Sequence, residues 1–378
     1  MAVTPNPFLG VGLHGVGAMF AANCYAPQKF IKRWSWETFW VVQASWCWLL
    51  WPIIGACVTI PHLGQVLMDA YQQCPMAMLW SFLFSLAYGV GGIAFNMSIR
   101  YIGFALTYAI AVGLSAVLGT LIPPLVTGEM KDILAKAGSS WVMAGIGVGI
   151  LGIGACGLAG RFKEQDLSSS SGQDKGDFNM RKGLFLSLLA GVLSAMYGFA
   201  IAAAGPVKEI AASYGAGQWE GNVVYLFANP GAYITSLVYC LWLAQKNRSQ
   251  GEYTRLSAGE DSAKLWKNYL FAFLCGTFWY GQFFFYNLGH VRMGDFEFSS
   301  WGIHMIMLVL FSNLTGILFS EWKGTTVRTK KMIVVSLVIL TLSVSAITAG
   351  NYLGSSGNST GSADVNDVNQ VAIEMIRE

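Results

Sequence analysis

The sequence predicts an all-α membrane protein, with ten transmembrane helices in two inverted five-helix repeats and both termini outside the cytoplasm. Three observations carry this prediction. Apolar residues make up 54% of the chain and charged residues only 11%, where a soluble domain carries about 25% charge, and mean hydropathy is +0.50. Runs of the roughly 20 mainly apolar residues needed to cross a bilayer lie at 8–26, 38–60, 76–98, 101–126, 140–160, 183–205, 223–244, 266–289, 299–320 and 332–353. Basic residues collect in alternate turns. Lys29, Lys32 and Arg33, then Arg100, then Arg161 to Lys182, then Lys246 to Lys267, then Lys323 to Lys331 follow the odd-numbered spans. Only Lys131, Lys136, Lys208, Arg292 and Arg377 fall on the other side. Lys and Arg mark the cytoplasmic side, so both termini are expected outside it.

The N-terminus, MAVTPNPFLG, carries no basic leader, and the first apolar run is read as a retained span. Residues 1–160 then form the first five-helix repeat, 161–182 a cytoplasmic linker and 183–353 the second repeat. Five spans per half give the halves opposite orientation, as inverted-repeat transporters require. Arg100 and Glu129 in the first half are echoed, at equal separation, by Arg292 and Glu321 in the second. Residues 354–378 are Ser-, Gly- and Asn-rich and are read as a flexible polar tail.

Taken in order, span one sets Gly10, Ala18 and Ala22 around His14. Such small-residue stripes allow close helix contact, which turns His14 towards the bundle. Glu37 opens span two, where a carboxylate in the first turn is favoured by the helix dipole. Span three repeats Phe84, Tyr88, Gly92, Asn96 and Arg100 every four residues, which places Tyr88 and Asn96 on one face. The seven cysteines are odd in number and show no CxxC, so neither a structural disulfide nor zinc is expected. No HExxH, GxSxG or phosphate loop is present, so neither an enzyme nor a cofactor is expected.

Span eight is the richest stretch. Cys275, Trp279, Gln282, Tyr286 and His290 return to one helical face. Polar groups in hydrocarbon are costly and usually face a cavity or a partner, so Trp279, Gln282 and Tyr286, with Tyr88 and Asn96, are the candidate substrate ligands. Three of the four histidines, His14, His290 and His304, map to the outer part of their spans, with Glu297 in the short outer turn. Histidine titrates near neutral pH, and these four are the candidate proton carriers.

The strings CYAPQKFIKRWSWETFW (24–40), SIRYIGFALTYAIAVGLSAVLGTLIPP (98–124), FNMRKG (178–183), WYGQFFFYNLGHVRM (279–293), SSWGIHM (299–305) and SEW (320–322) closely resemble the L-rhamnose–proton symporter family of the drug/metabolite transporter superfamily. The likeness runs from about residue 10 to residue 353. It implies ten spans in two inverted halves, a bacterial inner-membrane location and proton-driven uptake of a small sugar, L-rhamnose. Gly92, Ala203, Gln43 and Asn313 depart from the family's pattern, which bears on the sugar more than on the fold. The partners expected are the sugar, protons and lipid, with no nucleic acid. The rival reading is an exporter or exchanger of another small metabolite, an amino acid or a related sugar.

Overall fold

The computed structural model describes residues 4–171, 179–254 and 265–377, and among them the chain is helical with no strand. The helices are α1 (Pro7–Asn23), α2 (Trp36–Ala44), α3 (Trp51–Thr59), α4 (Leu63–Gln73), α5 (Pro75–Ile102), α6 (Phe104–Thr127), α7 (Met130–Ala135) and α8 (Ser139–Ser171). After the polar linker come α9 (Met180–Ala203), α10 (Gly205–Ser213), α11 (Tyr225–Ala228), α12 (Pro230–Asn247), α13 (Leu265–His290), α14 (Ser299–Leu318) and α15 (Val327–Arg377).

Local sequence explains where these helices begin and bend. Asn6 caps α1 by accepting from the Leu9 N–H at 3.1 Å, with Pro7 in the first turn, where a missing N–H costs nothing. Ser35 caps α2 in the same way through Thr38. Between α2 and α3, Ser45–Leu50 form a π turn, and the Trp51 N–H reaches back to the Trp46 carbonyl. Pro52 supplies the cause: it has no N–H for the Trp48 carbonyl and its ring crowds that group. A single residue, Gly103, joins α5 to α6 at φ +81°, a conformation that side-chain-bearing residues rarely adopt.

Nine of the helical segments among the described residues are long and apolar enough to cross a membrane. The sequence leads one to expect ten, and the one that falls short is α13, at 26 residues. It is long enough to span, but Lys267, Asn268, Gln282, Asn287 and five Trp or Tyr residues dilute its apolar character. The same side chains make it the richest candidate for function.

Two boundaries differ from expectation. The linker at 161–182 opens as helix, because α8 continues past residue 160 to Ser171. No Gly or Pro interrupts that stretch, and Asp166 on it accepts from the Thr326 N–H at 2.8 Å and from Thr329 Oγ1 at 2.7 Å. Residues 172–178 lie outside the described residues. The tail at 354–378, expected to be flexible, continues α15 as helix to Arg377; it contains no proline to stop the turn.

The two halves of the chain interleave. α1 packs on α13 and α14, while α9 packs on α5 and α6; α2 meets α13, α12 meets α5, and α8 lies along α15. At the α1–α13 crossing a Cβ on Gly17 would stand 2.9 Å from the Gln282 carbonyl oxygen, so only glycine permits that approach. One end of the bundle is tied by Lys29 and Lys163, both reaching Glu321 at 3.7 and 3.3 Å, and by Trp34 donating to the Glu252 carbonyl. Glu37 belongs to the same end: it is buried and accepts from Asn247 and Ser249, pinning α2 to the end of α12. The opposite end is tied by Lys136–Asp295 at 2.9 Å, Lys208–Glu220 at 3.5 Å and Arg292 donating to Gln218.

Candidate functional site

A cavity of about 550 Å³ runs into the bundle between α1, α2, α5, α6, α13 and α14. Lys29 and Glu321, both exposed, stand at its mouth, and Gln282, Phe283, Trp301 and Met305 line its inner part. It therefore opens at the basic end. The other end is filled by Met293 and Phe296, both almost fully buried, and Asn6 N–H donates to the Arg292 carbonyl across it.

Of the five candidate ligands, Trp279, Gln282, Tyr88 and Asn96 line this cavity. Asn96 donates one amide N–H to the Gly92 carbonyl at 2.9 Å, which leaves its carbonyl oxygen as an acceptor and its second N–H as a donor. The Trp279 indole N–H is buried with no hydrogen-bond partner among the described residues. A buried donor left unpaired is costly, so this one calls for an acceptor in the cavity. Tyr286 stands apart. It sits behind the wall, its ring 5.1 Å from that of His14, 5.8 Å from His290, 5.5 Å from His304 and 6.0 Å from Trp301.

That tyrosine is the hub of the histidine cluster. His14 and His304 are fully or almost fully buried and their rings lie 6.4 Å apart. Neither ring nitrogen of His14 has a partner among the described residues. His304 Nε2 lies 3.3 Å from Gln282 Oε1; an amide oxygen only accepts, so the imidazole donates in that bond. His290 is further out, with Nδ1 at 3.1 Å from Ser300 Oγ and Nε2 at 3.4 Å from Glu297 Oε2. Glu297 in turn lies 4.0 Å from Lys208. The four candidate proton carriers thus form one continuous group, from the closed end inwards to Gln282. Two charged imidazoles at such spacing in a dry setting repel strongly, so the pair His14–His304 suits one proton at a time.

Other cavity residues escaped the sequence reading. Tyr25, Trp40, Trp48 and Trp301 line it. Trp40 was visible as the residue one turn after Trp36, but eight residues of ideal α-helix overshoot the starting face by about 80°, so Trp48 reads as off-face. The wider π turn between them returns it. Asn313, four residues before Ile317 on α14, lines an adjoining pocket of about 190 Å³ with Lys163, Glu164 and Glu321, the last shared with the cavity mouth. The side chain of Arg100 lies outside what is described. No group of three His, Cys, Asp or Glu side chains that could hold a metal occurs among the described residues.

A helical membrane bundle with a cavity lined by aromatic and polar side chains, open at one end, sealed at the other and backed by titratable groups, is the architecture of a membrane carrier. The chain belongs to the L-rhamnose-proton symport family: the model of the L-rhamnose-proton symport protein matches residues 4–354. Among its relatives are an L-rhamnose-proton symporter from Mannheimia succiniciproducens, 31% identical over 344 residues (90% of this chain and 97% of the relative). Another, from Yersinia pestis, is 31% identical over 345 residues with the same coverage. The family is one of transporters rather than enzymes, and its members are multi-pass proteins of the bacterial inner membrane.

Proposed function

We propose that this chain carries L-rhamnose into the cell together with a proton, by alternating access. Family membership supplies the sugar and the ion. The observation that carries the mechanism is the position of Gln282, which lines the cavity and accepts from His304 with the same side chain. Sugar in the cavity and a proton on the histidine pair would each change how that amide is used, so the two ligands are linked through one residue; symport requires that this linkage be positive, each ligand raising the other's affinity. A proton moving inwards releases about 2.3 kcal/mol per 100 mV of membrane potential, enough to hold a steep sugar gradient.

The bundle is read as ten spans in two inverted halves, with α13, the eighth in chain order, added to the nine apolar enough to cross. The recurring packing supports this: α1 meets α13 and α14 as α9 meets α5 and α6, and α2 meets α13 as α12 meets α5. With the basic end cytoplasmic, both termini lie outside and the conformation is inward-open. A nucleotide-sugar exchanger would call on Arg100 or Arg292 for the cargo's phosphate, and Arg292 donates to the Leu288 carbonyl and Gln218 at the closed end, away from the cavity.

Adding L-rhamnose to lightly buffered, de-energised cells that express the protein should make the medium alkaline. Sugar entry without a pH change would sink the coupling. A reporter active only outside the cytoplasm should work after residue 353 and fail within 161–182; the reverse would overturn the orientation.

A further inference from the structure

The cavity has an aromatic corner that the sugar reading leaves unexplained. Trp279 stands against three rings, each nearly perpendicular to it: Tyr25 at 5.3 Å and 82°, Trp40 at 6.0 Å and 87°, and Trp48 at 5.7 Å and 84°. Trp40 and Trp48 are themselves 6.0 Å apart at 74°, and both are more than nine-tenths buried. All four residues line the cavity. Trp40 also stacks on Trp36 at 5.0 Å and on Tyr25 at 6.1 Å, both on the cavity wall, which hold its ring in place.

Its polarity is one-sided. The indole N–H groups of Trp48 and Trp279 are both buried and both lack an acceptor among the described residues. An indole can only donate. Apart from the Tyr25 hydroxyl at the rim and that of Tyr88, whose ring lies 6.3 Å from Trp48, this corner consists of apolar ring surface and unpaired donors. It can receive oxygen atoms that accept and C–H groups that lie against the rings, but among these residues only the two tyrosine oxygens could accept from a sugar hydroxyl.

The geometry points to Trp48 as a sugar-binding residue that, with Trp40 and Trp279, selects a hexose whose sixth carbon is a methyl group over one whose sixth carbon carries a hydroxyl. The methyl lies against the ring faces, and the Trp48 and Trp279 N–H groups donate to oxygens on neighbouring carbons. A sixth hydroxyl placed in the same corner would leave its proton unpaired and its water behind, a penalty that an apolar pocket imposes on an added polar group. The inference rests on the reading that L-rhamnose, a 6-deoxy hexose, is the cargo. It adds what that reading omits: a residue hidden from sequence by the π turn, and a reason for the deoxy preference.

The test is direct binding to the full-length protein in lipid nanodiscs, by titration calorimetry, with two pairs of sugars. L-Rhamnose and L-mannose differ at the sixth carbon by one hydroxyl, and so do L-fucose and L-galactose. The wild type should bind L-rhamnose about tenfold or more tighter than L-mannose. Trp48→Phe keeps a ring against Trp40 and Trp279 but removes the N–H; it should weaken both L-rhamnose and L-mannose about tenfold and largely keep their ratio. Trp48→Gln puts an acceptor in the wall and should bring the ratio towards one. Equal binding of L-rhamnose and L-mannose by the wild type, or normal affinity in a folded Trp48→Phe protein, overturns the proposal. If L-rhamnose binds with the expected preference but draws no protons, symport fails and the corner stands. If L-fucose binds over L-galactose and L-rhamnose does not bind, the cargo is wrong and the corner again stands. Binding of none of the four sugars overturns both.

Discussion

At the corner where α1 crosses α13 and α14, glycines bring backbones together: Gly17 faces the Gln282 carbonyl and Gly10 faces Met293. At the corner where α9 crosses α5 and α6, the same device recurs, with Gly91 against Leu193 and Gly191 against Leu114. The furnishing differs. The first corner holds His14, Tyr286, Gln282 and His304, with His14 unpaired. The second holds Ala94, Ala111 and Ala190, and its polar groups are satisfied: Ser98 Oγ lies 3.0 Å from Thr107 Oγ1 and donates to the Gly183 carbonyl at 2.8 Å. Small residues serve close packing in both places, so a small-residue stripe alone does not mark a site. Buried polar groups without partners do, because the bilayer gives them no water to fall back on.

If the first corner couples the proton, the largest effect belongs to His304. Replacing it with Gln keeps a hydrogen-bonding side chain beside Gln282 but removes the titrating group. His304→Gln should abolish accumulation of labelled L-rhamnose against its gradient and spare sugar exchange, which needs no net proton movement. Accumulation with a normal pH signal would move the role to His14, or to His290 and Glu297 further out.

Next comes Gln282, the contact between the two ligands. Gln282→Ala removes a cavity hydrogen bond and strands His304 Nε2. A lost hydrogen bond of this kind costs roughly 1–3 kcal/mol, so affinity for L-rhamnose should weaken about five- to hundredfold in a calorimetric titration, and Trp279→Ala should act in the same range. Near-normal binding in both would make this stripe packing. Tyr286→Phe sharpens the same boundary with a smaller effect. Tyr286 stands behind the wall, so its sugar affinity should stay close to wild type, and a tenfold loss would show that the ring swings into the cavity in another state.

Much of this contrast was legible in the sequence, for a physical reason. In a membrane helix the face of a residue follows from its number, so the stripe Trp279, Gln282, Tyr286 and His290 could be drawn before any coordinates. The burial of His14 followed from its small neighbours. Depth and direction were less legible. Tyr286 and Gln282 are one turn apart on one stripe, yet Gln282 lines the cavity and Tyr286 backs it, because the cavity ends between them. Trp48 was hidden by a change of helical pitch that Pro52 causes four residues later. The helical course of 161–171 depended on Asp166 reaching the start of α15, a long-range contact that local polarity conceals.

The smallest effect should come from the second corner. Ser98 is buried, and its hydroxyl bridges α6 and α9 through Thr107 and Gly183. In water-soluble cores, losing such a bridge could cost 1–3 kcal/mol. Here the smaller figure should win. Interhelical hydrogen bonds in membrane proteins average only about 0.6 kcal/mol, because the separated helices find other partners in the bilayer. The Gly183 carbonyl also keeps its bond within α9. Ser98→Ala should therefore lower stability towards denaturant by about 0.6 kcal/mol and leave L-rhamnose affinity, accumulation and the pH signal unchanged. A loss of coupling in Ser98→Ala, with folding intact, would mean that the two corners share the proton chemistry after all, and the comparison drawn from their furnishing would fail.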